Sequence, residues 1–146
     1  MNIQLTKEQL ETLVKLVYLG NRMANDWRTD DILEEYDEVE SLVLASAQKH
    51  GLGDLVEFEE DSGKALPSGE LEEKMAEITD LYNDNTFWDQ LIYRMADRDY
   101  VRKYGEDSLE ELYTEQGIER ERPLVERYEK EFNEHGLDRL EVRRDN

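Results

Sequence analysis

Asp30–Glu40, read DDILEEYDEVE, places seven carboxylates in eleven residues with no Lys or Arg among them. At about 100° per residue, Asp30, Asp31, Glu34, Asp37 and Glu38 cover one side of a helix, with Glu35 and Glu40 at its margins. Ile32, Tyr36, Val39 and Val43 fall within a narrow arc on the other side. The pattern predicts the wet acid face and the buried apolar arc of one amphipathic helix, not a disordered tail.

The whole chain is of this kind, with a net charge of -20 and 38% charged residues. Such a balance approaches that of disordered chains, but the apolar residues are periodic and include eight Tyr and two Trp. Acidic disordered chains are poor in aromatics, so the reading is a folded single domain over residues 1–146. The absence of Cys excludes a disulfide framework and thiolate metal chemistry. No apolar run approaches 18 residues and no basic-then-apolar N-terminus precedes the first helix, so the expectation is a cytoplasmic protein without a membrane partner. Direct binding of nucleic acid is disfavoured, because it needs phosphate-neutralising Lys and Arg. Residues 1–93 carry 22 acids and 7 bases, residues 94–146 carry 16 and 11, so the electrostatic face belongs to the first part.

Helix signals follow one another along the chain. Thr6 with Gln9 forms a capping box, and Leu5 is placed to staple onto Leu10. Thr29 or Asp30 caps a second helix ending at His50, with Gly51 in the C′ position. Residues 51–69 read as one long irregular loop, with Leu55, Val56 and Phe58 as a short extended piece. A third helix runs from Ser68 or Gly69 to Tyr82, Asn83-Asp84-Asn85 turns, and a fourth runs from Thr86 to Gly105. Ser108 with Glu111 caps a short helix up to Gly117, and Pro123 opens the last helix, which Gly136 ends. His50-Gly51-Leu52 and His135-Gly136-Leu137 both read as Schellman stops. The expectation is an all-α bundle of five or six helices. Its expected core includes Leu13, Val17, Ile32, Tyr36, Val39, Val43, Met75, Ile78, Leu91, Met95, Leu124, Tyr128 and Phe132.

Sites are harder to find. Each His sits in the last turn of a helix, where it suits the dipole. Neither Asp80–Leu91 nor Glu59–Glu70 meets the EF-hand spacing. Arg94, Asp97, Arg98, Asp99, Arg102 and Lys103 read as an ion-pair lattice on one helix. Glu57-x-x-Glu60, sixteen residues, then Glu77-x-x-Asp80 resembles the ExxE…ExxD signature of the MazG-like nucleoside triphosphate pyrophosphohydrolases. That resemblance implies four carboxylates on facing helices holding Mg²⁺ against substrate phosphates. The segments FWDQLIYRMADRDYVRKYG and YEKEFNEHGLDRL also resemble small acidic helical proteins of uncharacterised bacterial families, a likeness that implies no activity.

These features converge on a non-catalytic protein, without cofactor, acting through protein contacts. The expected contact surface is the stripe Asp30, Asp31, Glu34, Asp37 and Glu38, with a basic protein surface as its partner. Two alternatives stand beside it. One is the MazG-like Mg²⁺-dependent enzyme using Glu57, Glu60, Glu77 and Asp80. The other is a nucleic-acid mimic inhibiting a DNA- or RNA-binding protein, for which seven acids along about 16 Å of helix axis approach the charge spacing of a duplex.

Overall fold

The computed structural model describes residues 3–141. The architecture is all-α, built from α1 (Lys7–Asn25), α2 (Glu34–Lys49), α3 (Gly69–Tyr104) and α4 (Glu115–His135). A 3-10 turn at Gly53–Leu55 and the strands β1 (Val56–Phe58) and β2 (Ala65–Pro67) separate α2 from α3, and a second 3-10 segment, Glu106–Tyr113, precedes α4. The chain divides into two compact units, Met1–Leu81 and Tyr82–Asn146, with α3 contributing to both.

In the first unit α1 and α2 pack as an antiparallel pair. The capping box is formed as the residues predict: Thr6 Oγ1 accepts from Gln9 N at 3.2 Å, and Gln9 Oε1 accepts from Thr6 N at 2.9 Å. The helix buries Leu10, Val14 and Tyr18 against Leu44 and Ala47 of α2. At the end of α2, Leu52 N donates to Ala47 O and Gly51 N to Gln48 O, with Gly51 at φ +77°. This is the expected Schellman stop, and it folds Leu52 back into the core.

Residues 51–69 are more ordered than an irregular loop. β1 and β2 pair antiparallel in the register Val56 to Pro67, Glu57 to Leu66 and Phe58 to Ala65. Gly63, at φ +68°, makes the reversal and donates to Glu59 O at 2.8 Å. Alternation points Val56 and Ala65 inward, and Leu71 and Met75 at the start of α3 complete the core. Ser68 joins hairpin to helix: its hydroxyl donates to Asp54 O at 2.6 Å and accepts from Leu71 N at 3.3 Å.

The turn expected at Asn83-Asp84-Asn85 is absent, and α3 runs through it. Asn and Asp are weak helix formers but not breakers like Pro, costing under about 0.7 kcal/mol each. Asp84 also accepts from Trp88 Nε1 one turn on, at 3.2 Å. In the second unit Ala96, Tyr128 and Phe132 are buried beneath Trp88, Leu91, Ile92, Met95, Leu124 and Val125.

The start of α4 also differs from the reading above. Ser108 makes no capping box; its hydroxyl turns back to Gly105 O at 2.5 Å within the 3-10 segment. Thr114 is the cap, accepting from Gly117 N at 3.1 Å. Gly117 therefore lies inside the helix, and Pro123 is interior as well. The second His-Gly-Leu is not a Schellman stop, for Gly136 N simply continues the helical ladder to Phe132 O.

Gly117 is needed for a close approach. A Cβ there would lie 1.8 Å from the carbonyl oxygen of Glu111. Gly117→Ala should cost at least about 1–3 kcal/mol by overpacking, read as a lower urea midpoint by the fluorescence of Trp88; an unchanged midpoint would show that the 3-10 segment does not rest on α4.

Candidate functional site

The α1–α2 pair holds most of the residues singled out by the sequence. α2 begins at Glu34, not at the acid run's first residue. Asn25 sets that start, its side-chain amide accepting from Leu33 N at 2.9 Å and donating to Leu33 O at 3.1 Å. Asp30 and Asp31 thus precede the helix, and Asp31 is paired with Arg28.

The inward face of α2 is also different. Its innermost line is Asp37, Glu40, Leu44 and Ala47, with Glu40 only 7% exposed. Asn21 of α1 makes this possible. Its Nδ2 donates to Glu40 at 2.7 Å and to Asp37 at 2.9 Å, and Lys64 from the hairpin reaches Asp37 at 3.3 Å. Of the predicted stripe, only Glu34 and Glu38 are exposed acids on the helix, so the five carboxylates do not share one face. The duplex-like spacing is lost with them.

Burial pushes the Glu40 carboxyl above its ordinary range, and the Asp37 charge adds to this, against the hydrogen bond from Asn21. The Asn21 bond, helped by Lys64, holds Asp37 below its ordinary range despite partial burial. Beside them opens a polar recess of about 430 Å³, lined by Tyr18, Asn21, Arg22, Asn25, Asp26, Asp37, Glu40, Pro67 and Glu72. Arg22 is already engaged there by Tyr18 and Asp26, each at 2.7 Å.

The inward turn of Glu40 rotates the apolar arc outward by about a quarter turn. Ile32, Tyr36 and Val39, expected in the core, are exposed, Val39 by 54%, and Val43 is half-buried. Ile78 is likewise exposed; Leu13, Val17, Leu91, Met95 and Leu124 are half-buried, and Met75, Tyr128 and Phe132 are buried as expected. Helical geometry places Leu13, Val17, Gly20 and Ala24 on one flank of α1, and Tyr36, Val39 and Val43 on one flank of α2. In an antiparallel pair those flanks lie on the same side. The Asn21 contacts set the levels: Val17 beside Val43, Gly20 beside Val39 and Ala24 beside Tyr36. The seven residues of this flank include no Asp, Glu, Lys or Arg, and exposed Glu35, one turn before Val39, lies at its outer edge. The opposite flank bears Glu11, Lys15, Glu34 and Glu38.

The four carboxylates of the MazG-like spacing do not gather. Glu57 lies on β1 and accepts from Gly69 N at 3.3 Å, Glu60 lies in the hairpin turn, and Glu77 and Asp80 are exposed on α3. Among the described residues no group of three or more His, Cys, Asp or Glu could hold a metal ion. His50 Nδ1 lies 2.7 Å from Ser46 O, the helix-end role its position predicts. The ion lattice of the second unit centres on Asp99, which meets Arg98, Arg102, Arg127 and the Tyr128 hydroxyl. Burial works to raise its carboxyl, and those hydrogen bonds hold it below the ordinary range. The α4 partners were invisible to spacing within one helix. No helix among the described residues is long and apolar enough to cross a membrane. Comparison with protein families, with curated proteins and with solved structures finds no match.

Because the folded chain protonates Glu40 more readily than the unfolded chain does, ionised Glu40 lowers stability above the ordinary Glu range, and that cost fades as pH falls through it. Glu40→Gln should therefore stabilise by about 0.5–2 kcal/mol at neutral pH, with the gain shrinking as pH falls toward about 4.3 and absent below it. Asn21→Ala should cost about 1–3 kcal/mol at neutral pH by leaving the buried carboxylate unpartnered. Urea unfolding of both variants at neutral and acid pH checks this; equal effects at the two pH values would refute the buried charge.

Proposed function

We propose that this protein acts without catalysis, as a protein-contact module whose docking surface is the uncharged α1–α2 flank. One observation carries the reading: in a chain of net charge -20, exposed Tyr36 and Val39 share with Gly20 a two-helix face free of charge. Contiguous exposed apolar surface of this kind marks interaction sites. The apolar periodicity of Ile32, Tyr36, Val39 and Val43 then has a purpose, which is burial against something outside the chain.

The reading moves the contact away from the acid run. With Asp37 and Glu40 turned inward and Asp31 held by Arg28, a basic partner would meet mainly Glu34, Glu35 and Glu38. A nucleic-acid mimic would lack its stripe for the same reason. The dispersal of Glu57, Glu60, Glu77 and Asp80 gives the hydrolase alternative no shared cation position.

A photoreactive residue in place of Val39 should crosslink to protein in the cells that make this chain, whereas one in place of exposed Glu73 should not. Equal crosslinking at both positions, or none at position 39, would defeat the reading. Purified protein with Mg²⁺ or Mn²⁺ should release no pyrophosphate from nucleoside triphosphates; release abolished by Glu77→Gln would establish the hydrolase instead.

A further inference from the structure

We propose that the flank is occupied by a second copy of this chain, the two α1–α2 pairs packing face to face about a twofold axis parallel to the helices; this rests on the flank being a protein-contact surface. Charge is the first reason. With 38 acids against 18 bases, two copies repel over most of their surface, and an acidic chain can meet itself closely only where it carries no charge. A basic partner would gain nothing from a face that offers it no carboxylate.

Shape is the second reason. An isologous interface must be complementary to itself. A twofold axis along the helices keeps each residue at its own level while exchanging α1 for α2. It therefore sets Val39 of the second copy against Gly20, and Tyr36 of the second copy against Ala24. In both cases a large side chain on α2 faces a small one on α1.

Gly20 is the third reason. A glycine inside a helix lowers stability relative to alanine. Nothing among the described residues requires this one, since its backbone φ is ordinary and a Cβ there would meet none of their atoms within 4 Å outside its own helix backbone. A close approach from outside accounts for it. The extent also suffices. A 19-residue helix is about 28 Å long and two side by side span about 20 Å, a footprint of roughly 560 Å² per partner, the size of a weak, reversible interface.

Sedimentation equilibrium of the full chain decides the matter. The parent should sediment at twice the 17.3 kDa chain mass at tens of micromolar. Added salt should tighten the dimer, because it screens repulsion between acidic copies. Val39→Glu and Gly20→Glu should each weaken association by on the order of 100-fold through burial of unpaired carboxylates. Both positions are exposed in the single chain, so helical circular dichroism should be retained, and Glu73→Gln should remain dimeric. A parent at chain mass throughout, or variants that associate like the parent, would overturn the proposal. Crosslinking from position 39 to a different protein, with the chain itself monomeric, would overturn the second copy while leaving the docking surface standing.

Discussion

The contact between Asn21 and Glu40 governs the first unit of this protein. A buried carboxylate needs a donor, and the amide of Asn21 supplies one to Glu40 and another to Asp37 from a single nitrogen. Once that bond forms, the rotation of α2 about its own axis is settled. Leu44 and Ala47 follow Glu40 inward, and Tyr36 and Val39 swing out. A helix wheel ranks this arrangement second, because it places a carboxylate where an aliphatic arc was available. The arrangement holds because Asn21 supplies donors to Glu40 and Asp37, and Asn25 holds Leu33, whose backbone is bonded to it through both N and O.

The same rotation reorganises the surface. An acid run that looked like one electrostatic face becomes three environments: an exposed turn in which Arg28 pairs with Asp31, a polar seam with Asn21 and Lys64, and the exposed carboxylates of Glu34, Glu35 and Glu38 on the helix. High net charge then serves chiefly to keep the chain soluble and to discourage unselective association. Against that background a face without charge is a specific feature, since chance would place acids on it as readily as elsewhere.

How much of this was legible in the sequence depends on the range of the interaction. Signals closing within one turn were readable: the Thr6–Gln9 box, the His50-Gly51-Leu52 stop and the Ser68 start of α3 all lie within five residues of their partners. Features set at longer range were not. Nothing around Glu40 announces Asn21, nineteen residues earlier, and nothing around Gly117 announces the backbone of Glu111 above it. The hairpin was hidden because its strands are three residues each and give periodicity little to act on. Asn83-Asp84-Asn85 misled because turn preference is weak and helix propagation across it needs no large gain. For the candidate site, the apolar arc was legible as an arc, but Ile32, Tyr36 and Val39 are exposed instead of lying in the core, because Glu40 takes the inward position.

α3 has a thermodynamic consequence. Its start belongs to the core of Leu10, Val14 and Leu44, and its later part to that of Ala96, Tyr128 and Phe132. Between Ala76 and Asn85 its side chains are exposed apart from half-buried Thr79. Each unit carries one tryptophan, Trp27 in the first and Trp88 in the second. Unfolding followed at each tryptophan therefore reports on one core at a time, and a single midpoint holds for the whole chain only where the two probes coincide.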